Sequence, residues 1–349
     1  MNYSTNKTQE LGFFLLSKGI PIDTPLTAFE NGLSNDNFRL DYQGKSIVLR
    51  INRNAKNLGV GRKNEVINWQ LAAVHHLSSR IVAVSDDHNY FLSEYLPQKE
   101  RHHWHSRAKN NGSNDFHTNE INPGYLKLAS VSKKDNELES SNDVSLLLEL
   151  LVGLSRLPKP QNEVTLNGQW QIYLTSIEKE FQSLSPIFGG LSSSKLKTFQ
   201  QEVYYRVNKL KFISPTINTW LAEMNECQIS SQYCHRDLNP TNILFSNDNK
   251  LVCIDFEYAC ASHPLLDLIT VIATHKLSVV ERKILIKEYV LQNKNVINCR
   301  QIHVVYGINL YWLFAACWAL LQSLHTKKRF YLDWFDEYWQ LISLESTRS

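Results

Sequence analysis

One stretch of the sequence constrains the fold of this chain more than any other. Residues 233–245 read YCHRDLNPTNILF and residues 251–257 read LVCIDFE, so each segment contains a short apolar run. The polar residues between them, SNDNK at 246–250, have the composition of a tight turn, which predicts that the two apolar runs pair as a β-hairpin. Two carboxylates and one amide beside these runs have the spacing that matters here: Asp237, Asn242 and Asp255.

These three side chains supply the groups that phosphoryl transfer from ATP to an alcohol requires. Asp237 is the candidate catalytic base, because a carboxylate in a tight loop can orient a hydroxyl and accept its proton. Asn242 and Asp255 are candidate ligands of Mg²⁺, because an amide oxygen and a carboxylate are hard ligands for a hard cation. A lone His-x-Asp motif, such as residues 235–237, or a lone Asp-Phe pair, such as residues 255–256, occurs by chance in many chains. The prediction therefore depends on the order of Asp237, Asn242 and Asp255 along the chain and on the hairpin that joins them.

Composition excludes several classes of protein. With 349 residues, 43% of them hydrophobic and 20% charged, the chain is globular and long enough for one large domain or two lobes. The net charge of +3 comes without a block of Lys and Arg, so no nucleic-acid partner is predicted. The six cysteines form no Cys-x-x-Cys pair, which favours reduced thiols and a cytoplasmic location.

The apolar segments are too short to cross a membrane. The longest run, residues 310–321, has about 12 residues, whereas a membrane span needs roughly 20. The first residues lack a basic segment followed by a long apolar core, so no signal peptide is predicted. The sequence leaves the oligomeric state open.

The first quarter of the chain consists of short runs with the period of β-strands. Alternation of apolar and polar residues predicts five strands, at 26–29, 37–42, 46–51, 81–84 and 90–94. Apolar residues at three- and four-residue steps predict one helix over Arg62–Leu77. We therefore expect a five-stranded antiparallel sheet with one helix inserted after its third strand.

The rest of the chain divides into a polar segment and a helical region. Residues 98–141 are rich in Asn, Ser, His and Lys, which is typical of an insertion or a loop between lobes. From Val144 onward, apolar residues recur at helical spacing. Three regions are expected: a nucleotide-binding lobe at 1–97, a polar insertion or linker at 98–143, and a catalytic and acceptor-binding lobe at 144–349.

With these motifs in place, the chain resembles the group of small-molecule kinases that contains the aminoglycoside phosphotransferases and the choline and ethanolamine kinases. The resemblance covers about Ala28–Glu94 and Val144–Gln322, and IDFEY at 254–258 looks most like the choline/ethanolamine and thiamine kinase branches. It implies an α+β, bilobal, protein-kinase-like fold, with a small N-terminal lobe of antiparallel β-sheet and a larger, mainly helical C-terminal lobe. It also implies ATP and Mg²⁺ as cofactors and a small-molecule alcohol as the acceptor.

The resemblance assigns further residues to the nucleotide. Arg50 stands where these kinases hold the phosphates, and a guanidinium can bind phosphate oxygens with two donors. Its expected partner is Glu65 on the following helix. The resemblance also implies a phosphate loop at Gly32, Ser34 and Asn35, adenine contacts at Glu94 and Leu96, His235 packed beneath the catalytic loop, and a bracing carboxylate at Asp267.

The acceptor pocket is the least specific part of the pattern. Cationic alcohols bind well against aromatic faces and a carboxylate, which makes Trp312, Trp318 and Glu257 the candidate substrate contacts. The resemblance places an aromatic box here, yet Ala315 stands where a second ring is expected, and both tryptophans are compatible with an ordinary core. Two alternatives stay open: an aminoglycoside or sugar kinase with an acidic surface such as Asp333, Asp336 and Glu337, and a pseudokinase that binds without catalysis.

Overall fold

The computed structural model describes residues 5–29, 35–52, 61–98, 142–184 and 194–344. The chain forms two compact units. The first comprises Met1–Arg101 and Thr241–Ala259, and the second comprises His102–Pro240 and Cys260–Ser349. The polar insertion expected at 98–143 lies outside the described residues, except for its ends.

The first unit is built on a five-stranded antiparallel sheet, as the sequence predicts. Its strands have the order β1-β2-β3-β5-β4. They are β1 (Thr27–Ala28), β2 (Asn35–Tyr42), β3 (Lys45–Asn52), β4 (Ile81–Val84) and β5 (Tyr90–Glu94). Helix α2 (Arg62–Val74) follows β3.

The turn between β2 and β3 sets the register of the central hairpin. Tyr42 pairs with Lys45, which leaves a two-residue loop whose members have φ angles of 50° at Gln43 and 72° at Gly44. Two successive positive φ angles define the type of turn whose twist matches that of paired strands. The resulting register places Phe38 opposite Leu49, and both side chains are buried.

Helix α1 (Thr5–Ser17) was not predicted from the sequence. It buries Phe14 and Leu15 against the sheet, together with Ile20 beyond its end. Gly19 ends it with a φ of 76°, where the Gly19 and Ile20 amides donate back to Leu16 and Leu15. The apolar run of this helix also includes Phe13 and Leu16, which are exposed, so the run alone did not reveal which residues pack.

The hairpin predicted from the sequence belongs to the first unit. Strand β7 (Ile243–Phe245) pairs with β8 (Leu251–Cys253), and Ile243 lies opposite Cys253. The Cys253 amide donates to the carbonyl of Leu77, just beyond α2, over 2.9 Å. This bond attaches the hairpin to the segment that follows α2.

The second unit is mainly helical, as expected. Its elements are α3 (Asn142–Ser155), α4 (Leu166–Ser183), α5 (Ser194–Phe212), α6 (Ser214–Glu226), β6 (Gln232–Cys234), β9 (Cys260–Ser262), α7 (Leu266–Thr274), α8 (Val279–Gln292), α9 (Gln301–Thr326) and α10 (Phe330–Gln340). The antiparallel pair β6–β9 holds the residues that precede Asp237.

Helix α9 is the central element of this unit. Among the described residues it is the one helix long and apolar enough to cross a membrane, and 72% of its most apolar window is buried inside the protein. A helix that is apolar on all sides is buried in a protein core or in a membrane. Its burial identifies α9 as a core helix, so no membrane span is implied.

Candidate active site

In the first unit, the hairpin brings the two predicted metal ligands together. The backbone amide of Ile254 donates to the backbone carbonyl of Asn242 over 3.0 Å, just beyond the paired residues of β7 and β8. This bond holds Asn242 beside the residue that precedes Asp255. Asp255 has a φ of 66°, in the left-handed region that residues other than glycine seldom adopt. The amide and carboxylate oxygens at these two positions suit Mg²⁺.

The predicted partner of Arg50 is confirmed by the geometry. Arg50 Nη2 donates to Oε1 of Glu65, and Arg50 Nη1 lies 3.3 Å from Oδ1 of Asp255. The guanidinium also lies 4.5 Å from the ring centre of Phe91 and 5.5 Å from that of Trp69. Arg50 is therefore a buried cation between two carboxylates and two rings, not a surface residue at a strand end.

A second arginine, which the sequence analysis did not single out, extends this network. Arg62 Nη1 lies 2.8 Å from Oε2 of Glu65 and 3.7 Å from Oε2 of Glu257. Burial raises the pKa of the Glu257 carboxyl to about 8, and the Asp255 and Glu65 charges add to this. Burial also raises the pKa of Asp255, against the opposing effect of the Arg50 charge.

The predicted phosphate loop is described only at its end. Gly32 and Ser34 lie outside the described residues. Asn35 begins β2 opposite Asn52 and is 2% exposed, and neither its amide nitrogen nor its amide oxygen has a hydrogen-bond partner in the described part of the chain. A buried amide with both groups unpaired is costly, so this position suits a polar ligand.

The expected adenine contacts lie at a cavity of the first unit. Glu94 and Leu96 line a space of about 570 Å³, together with Arg80 and the start of β3. The Glu94 carboxylate forms an ion pair with Arg80 at 2.6 Å, and the backbone amide of Tyr95 donates to the backbone carbonyl of Ser46 over 3.2 Å. Backbone groups rather than the Glu94 side chain are thus the candidates for base recognition here.

In the second unit, a braced loop carries the candidate base. Asp237 is half-buried and follows Arg236, whose φ is 69°. The side-chain amide of Asn239 donates from Nδ2 to Oδ1 of Asp237 over 2.9 Å, which fixes the orientation of the carboxylate. His235 is fully buried, and its Nδ1 accepts the Asp237 amide over 3.3 Å, so it supports the loop from below.

Asp267 braces this loop from α7, where the resemblance placed it. Its two carboxylate oxygens accept the backbone amides of His235 and Arg236 over 2.9 and 2.8 Å. Burial raises the pKa of Asp267 to about 6, although these two amides act in the opposite direction. The carboxylate is 2% exposed.

The raised pKa of Asp267 predicts a pH effect on stability. The folded-state pKa of about 6 lies above the reference value of 3.8, so the stabilising contribution is complete below about pH 4 and is lost as the pH rises through about 6. From pH 3 to pH 8, the free energy of unfolding of the wild type should fall by about 3 kcal/mol relative to Asp267→Asn. Urea denaturation of both proteins across this range measures the difference, and a flat difference would contradict it.

Aromatic side chains surround Asp237 in the same unit. Burial raises the pKa of Tyr311 and Tyr338, and the charge of Asp237 raises both further, which places their hydroxyls near the carboxylate. Tyr338 stacks on Trp312 at 5.8 Å between ring centres. Trp312 is 5% exposed and packs against these tyrosines. The two tyrosines were not among the substrate contacts predicted from the sequence.

Trp318 lies two turns further along α9, in a second aromatic group. Its ring stacks on Trp334 at 6.2 Å and meets Tyr331 edge-on at 5.9 Å. Trp318 is half-buried, so it is neither a fully enclosed core residue nor a free surface ring. Glu257, the third candidate substrate contact, lies in the first unit and faces Arg62.

Comparison with protein families identifies one match. Residues 124–292 match the family model of the phosphotransferase enzyme family, APH. This segment contains the braced loop with Asp237, the hairpin with Asn242 and Asp255, and Asp267. A search of curated protein sequences finds no match to the chain.

Solved structures share the fold over nearly the whole chain. A choline/ethanolamine kinase family protein from Mesorhizobium loti is 17% identical, with a TM-score of 0.58, and the match covers 98% of this chain and 97% of that one. An ethanolamine kinase from Plasmodium vivax is 13% identical, with a TM-score of 0.62 over 100% and 91% of the two chains. A spectinomycin phosphotransferase in complex with ADP and spectinomycin is 11% identical, with a TM-score of 0.50 over 95% and 96%. These similarities confirm the predicted kinase-like fold.

Proposed function

Because residues 124–292 match the model of the phosphotransferase enzyme family, we propose that this chain transfers the γ-phosphoryl group of ATP to the hydroxyl of a small cationic alcohol of the choline, ethanolamine or thiamine type. The observation that carries the proposal is the buried contact of Arg50 with both Glu65 and Asp255. A buried guanidinium between a helix carboxylate and a second carboxylate beside Asn242 is the set of groups that ATP phosphates and their metal require.

The proposed mechanism gives Asp237 the role of base. Its carboxylate orients the acceptor hydroxyl towards the γ-phosphorus and accepts the proton as the new O–P bond forms, while the bond between the γ-phosphorus and the β,γ-bridging oxygen breaks and ADP leaves. Asn239 and the Asp267-braced backbone hold that carboxylate in one orientation. Positioning is the main contribution in such a reaction, because the transition state is loose and little covalent work falls to the protein.

Nucleotide binding is assigned to the first unit. Arg50 holds phosphate oxygens, and Glu94 and Leu96 present backbone groups to adenine. Asn35, at the end of the phosphate loop, offers its side-chain amide to the phosphates. Asn242 and Asp255 would hold Mg²⁺, and the oxygen donor set fits this cation. When bound, Mg²⁺ neutralises negative charge on the phosphate oxygens.

The acceptor pocket is proposed on the aromatic surface beside Asp237. Tyr311, Tyr338 and Trp318 offer ring faces in the unit that holds the carboxylate, and rings with an anion suit a compact cation. An aminoglycoside carries several amines and needs several carboxylates. Of the acidic residues on α10, Asp336 is already paired with Arg206, which leaves less acidic surface for such a substrate.

The two alternatives make different predictions in one experiment. Purified protein is incubated with ATP and Mg²⁺, and ADP release is measured with choline, ethanolamine, thiamine, homoserine or an aminoglycoside, against a control without acceptor. Acceptor-dependent ADP release with one of the first three supports the proposal. Release with aminoglycosides alone favours the antibiotic-kinase alternative, and nucleotide binding with no release for any acceptor favours the pseudokinase.

Trp318→Ala tests the aromatic pocket. A cation against a ring at a desolvated site gains roughly 2 kcal/mol, so the variant should raise the acceptor KM about tenfold or more and leave the ATP KM nearly unchanged. The acceptor KM of Trp318→Phe should lie between those of the wild type and Trp318→Ala, since the phenylalanine ring is smaller than the indole. Steady-state kinetics and the melting temperature are measured together. A lower melting temperature with both KM values unmoved would assign Trp318 to the core.

A further inference from the structure

Arg62 belongs to the buried charge network, and the proposed mechanism gives it no role. It is the first residue of α2, and its guanidinium contacts Oε2 of Glu65 at 2.8 Å and Oε2 of Glu257 at 3.7 Å. The two carboxylates are 1% and 5% exposed, whereas the Arg62 side chain is 19% exposed. One partly exposed cation thus contacts two buried carboxyl groups.

The charges of the network show what Arg62 contributes. Within the part of the chain that the structure describes, three carboxyl groups, on Glu65, Asp255 and Glu257, contact two guanidiniums, on Arg50 and Arg62. The two oxygens of Glu65 are divided between the two arginines: Oε1 accepts from Arg50 and Oε2 from Arg62. Without Arg62, Oε2 of Glu65 would lose this cation, and a buried carboxylate that lacks a cation is costly.

We infer that Arg62 is a positioning residue, which shares the charge of Glu65 and so leaves Arg50 available for phosphate and Asp255 available for metal. This inference rests on the proposed function, because that function names Arg50 as the phosphate group and Asp255 as the metal ligand. Arg62 acts through these residues and needs no contact with the substrate. Its position at the start of α2 also ties that helix to the segment after β8, together with the stacking of Trp69 on Phe256 at 5.8 Å.

A charge role predicts effects of opposite sign on the two ligands. Removing the Arg62 cation makes the surroundings of Asp255 more negative, so a free divalent cation should bind more tightly. The same change draws Arg50 towards the carboxylates and adds repulsion towards phosphates, so a metal-free nucleotide should bind more weakly. A purely structural role of Arg62 would weaken both, because both ligands depend on the same folded network.

The test uses the full-length protein and two ligands taken separately. Arg62→Gln removes the charge and keeps a side chain of similar polarity. Mn²⁺ alone is titrated by electron paramagnetic resonance, and ADP without metal is titrated by calorimetry. We expect the Mn²⁺ dissociation constant to fall on the order of fivefold and the ADP dissociation constant to rise on the order of fivefold.

Two further variants complete the design. Lys63→Gln removes the same charge from an exposed neighbour in the same helix and should leave both constants at wild-type values. Arg62→Lys keeps the charge and should return both constants most of the way to wild type. Rescue by Arg62→Lys also identifies the charge as the cause if Arg62→Gln lowers the melting temperature.

Each outcome decides the inference. Opposite shifts in Arg62→Gln, absent from Lys63→Gln, support it. Shifts in the same direction, no shift, or equal shifts in Lys63→Gln overturn it while the proposed function stands. A wild type that binds neither Mn²⁺ nor ADP overturns the proposed function and the inference with it.

Discussion

Asp237→Asn is expected to keep the nucleotide affinity of the wild type and to lose turnover by about 10²- to 10⁴-fold. The amide oxygen can still accept the hydrogen bond of Asn239, so the loop should keep its shape. It cannot take the proton of the acceptor hydroxyl, because an amide is not a base at neutral pH. ADP release in the presence of the acceptor measures kcat, and calorimetry measures ADP affinity.

The control for this experiment is Asp248→Asn, the same substitution in the exposed turn between β7 and β8. It should leave kcat and ADP affinity unchanged. If Asp237→Asn retained kcat within a few-fold of the wild type, the base would have to be another group. If it lost ADP affinity as well, the residue would serve binding rather than proton transfer.

Glu65→Ala should cause the largest loss of stability among single changes in the first unit. It removes the carboxylate that two guanidiniums share, and it leaves Arg50 buried with Asp255 as its remaining partner in the network. Breaking a buried ion pair by deleting one partner costs about 3–5 kcal/mol. Urea denaturation followed by tryptophan fluorescence measures the change in the free energy of unfolding.

Asp41→Ala is the matched control for the buried pair. Asp41 pairs with Arg39 on the surface, where the two side chains are 64% and 40% exposed. Surface pairs contribute about 0–1 kcal/mol, so this variant should unfold almost like the wild type. The double variant Arg50→Met/Glu65→Leu should recover much of the stability, because it removes both charges. Equal losses in Glu65→Ala and Asp41→Ala would contradict the buried role.

The local patterns of the sequence were sufficient for the sheet and the hairpin. The turn at Gln43 and Gly44, the alternation in β2 and β3, and the polar residues between β7 and β8 each specify structure within a few residues of themselves. The pair of Arg50 and Glu65 was also predicted, although through a family resemblance rather than through spacing. An ion pair such as Arg50–Glu65 can be inferred when the family motif contains both of its residues.

The parts that the sequence did not reveal depend on contacts between distant segments. Helix α1 is stable because it covers the sheet, and its own short apolar run does not show which surface it meets. Arg62 is an ordinary polar residue at the start of a helix until the chain brings Glu257 to it, 195 positions later. Tyr338 likewise acquires its place near Asp237 only through the packing of α10 against α9.

The left-handed backbone at Arg236 and Asp255 has a consequence for attempts to make this protein withstand heat. A side chain in that region carries strain of about 1 kcal/mol or more, and glycine would occupy either position without it. At Asp255, however, glycine would also remove one of the two carboxylates that Arg50 contacts, and this loss costs more than the strain. Laboratory selection for thermal resistance should therefore keep the strained aspartate, which is also a proposed metal ligand, so selection for robustness and selection for turnover should agree at this residue.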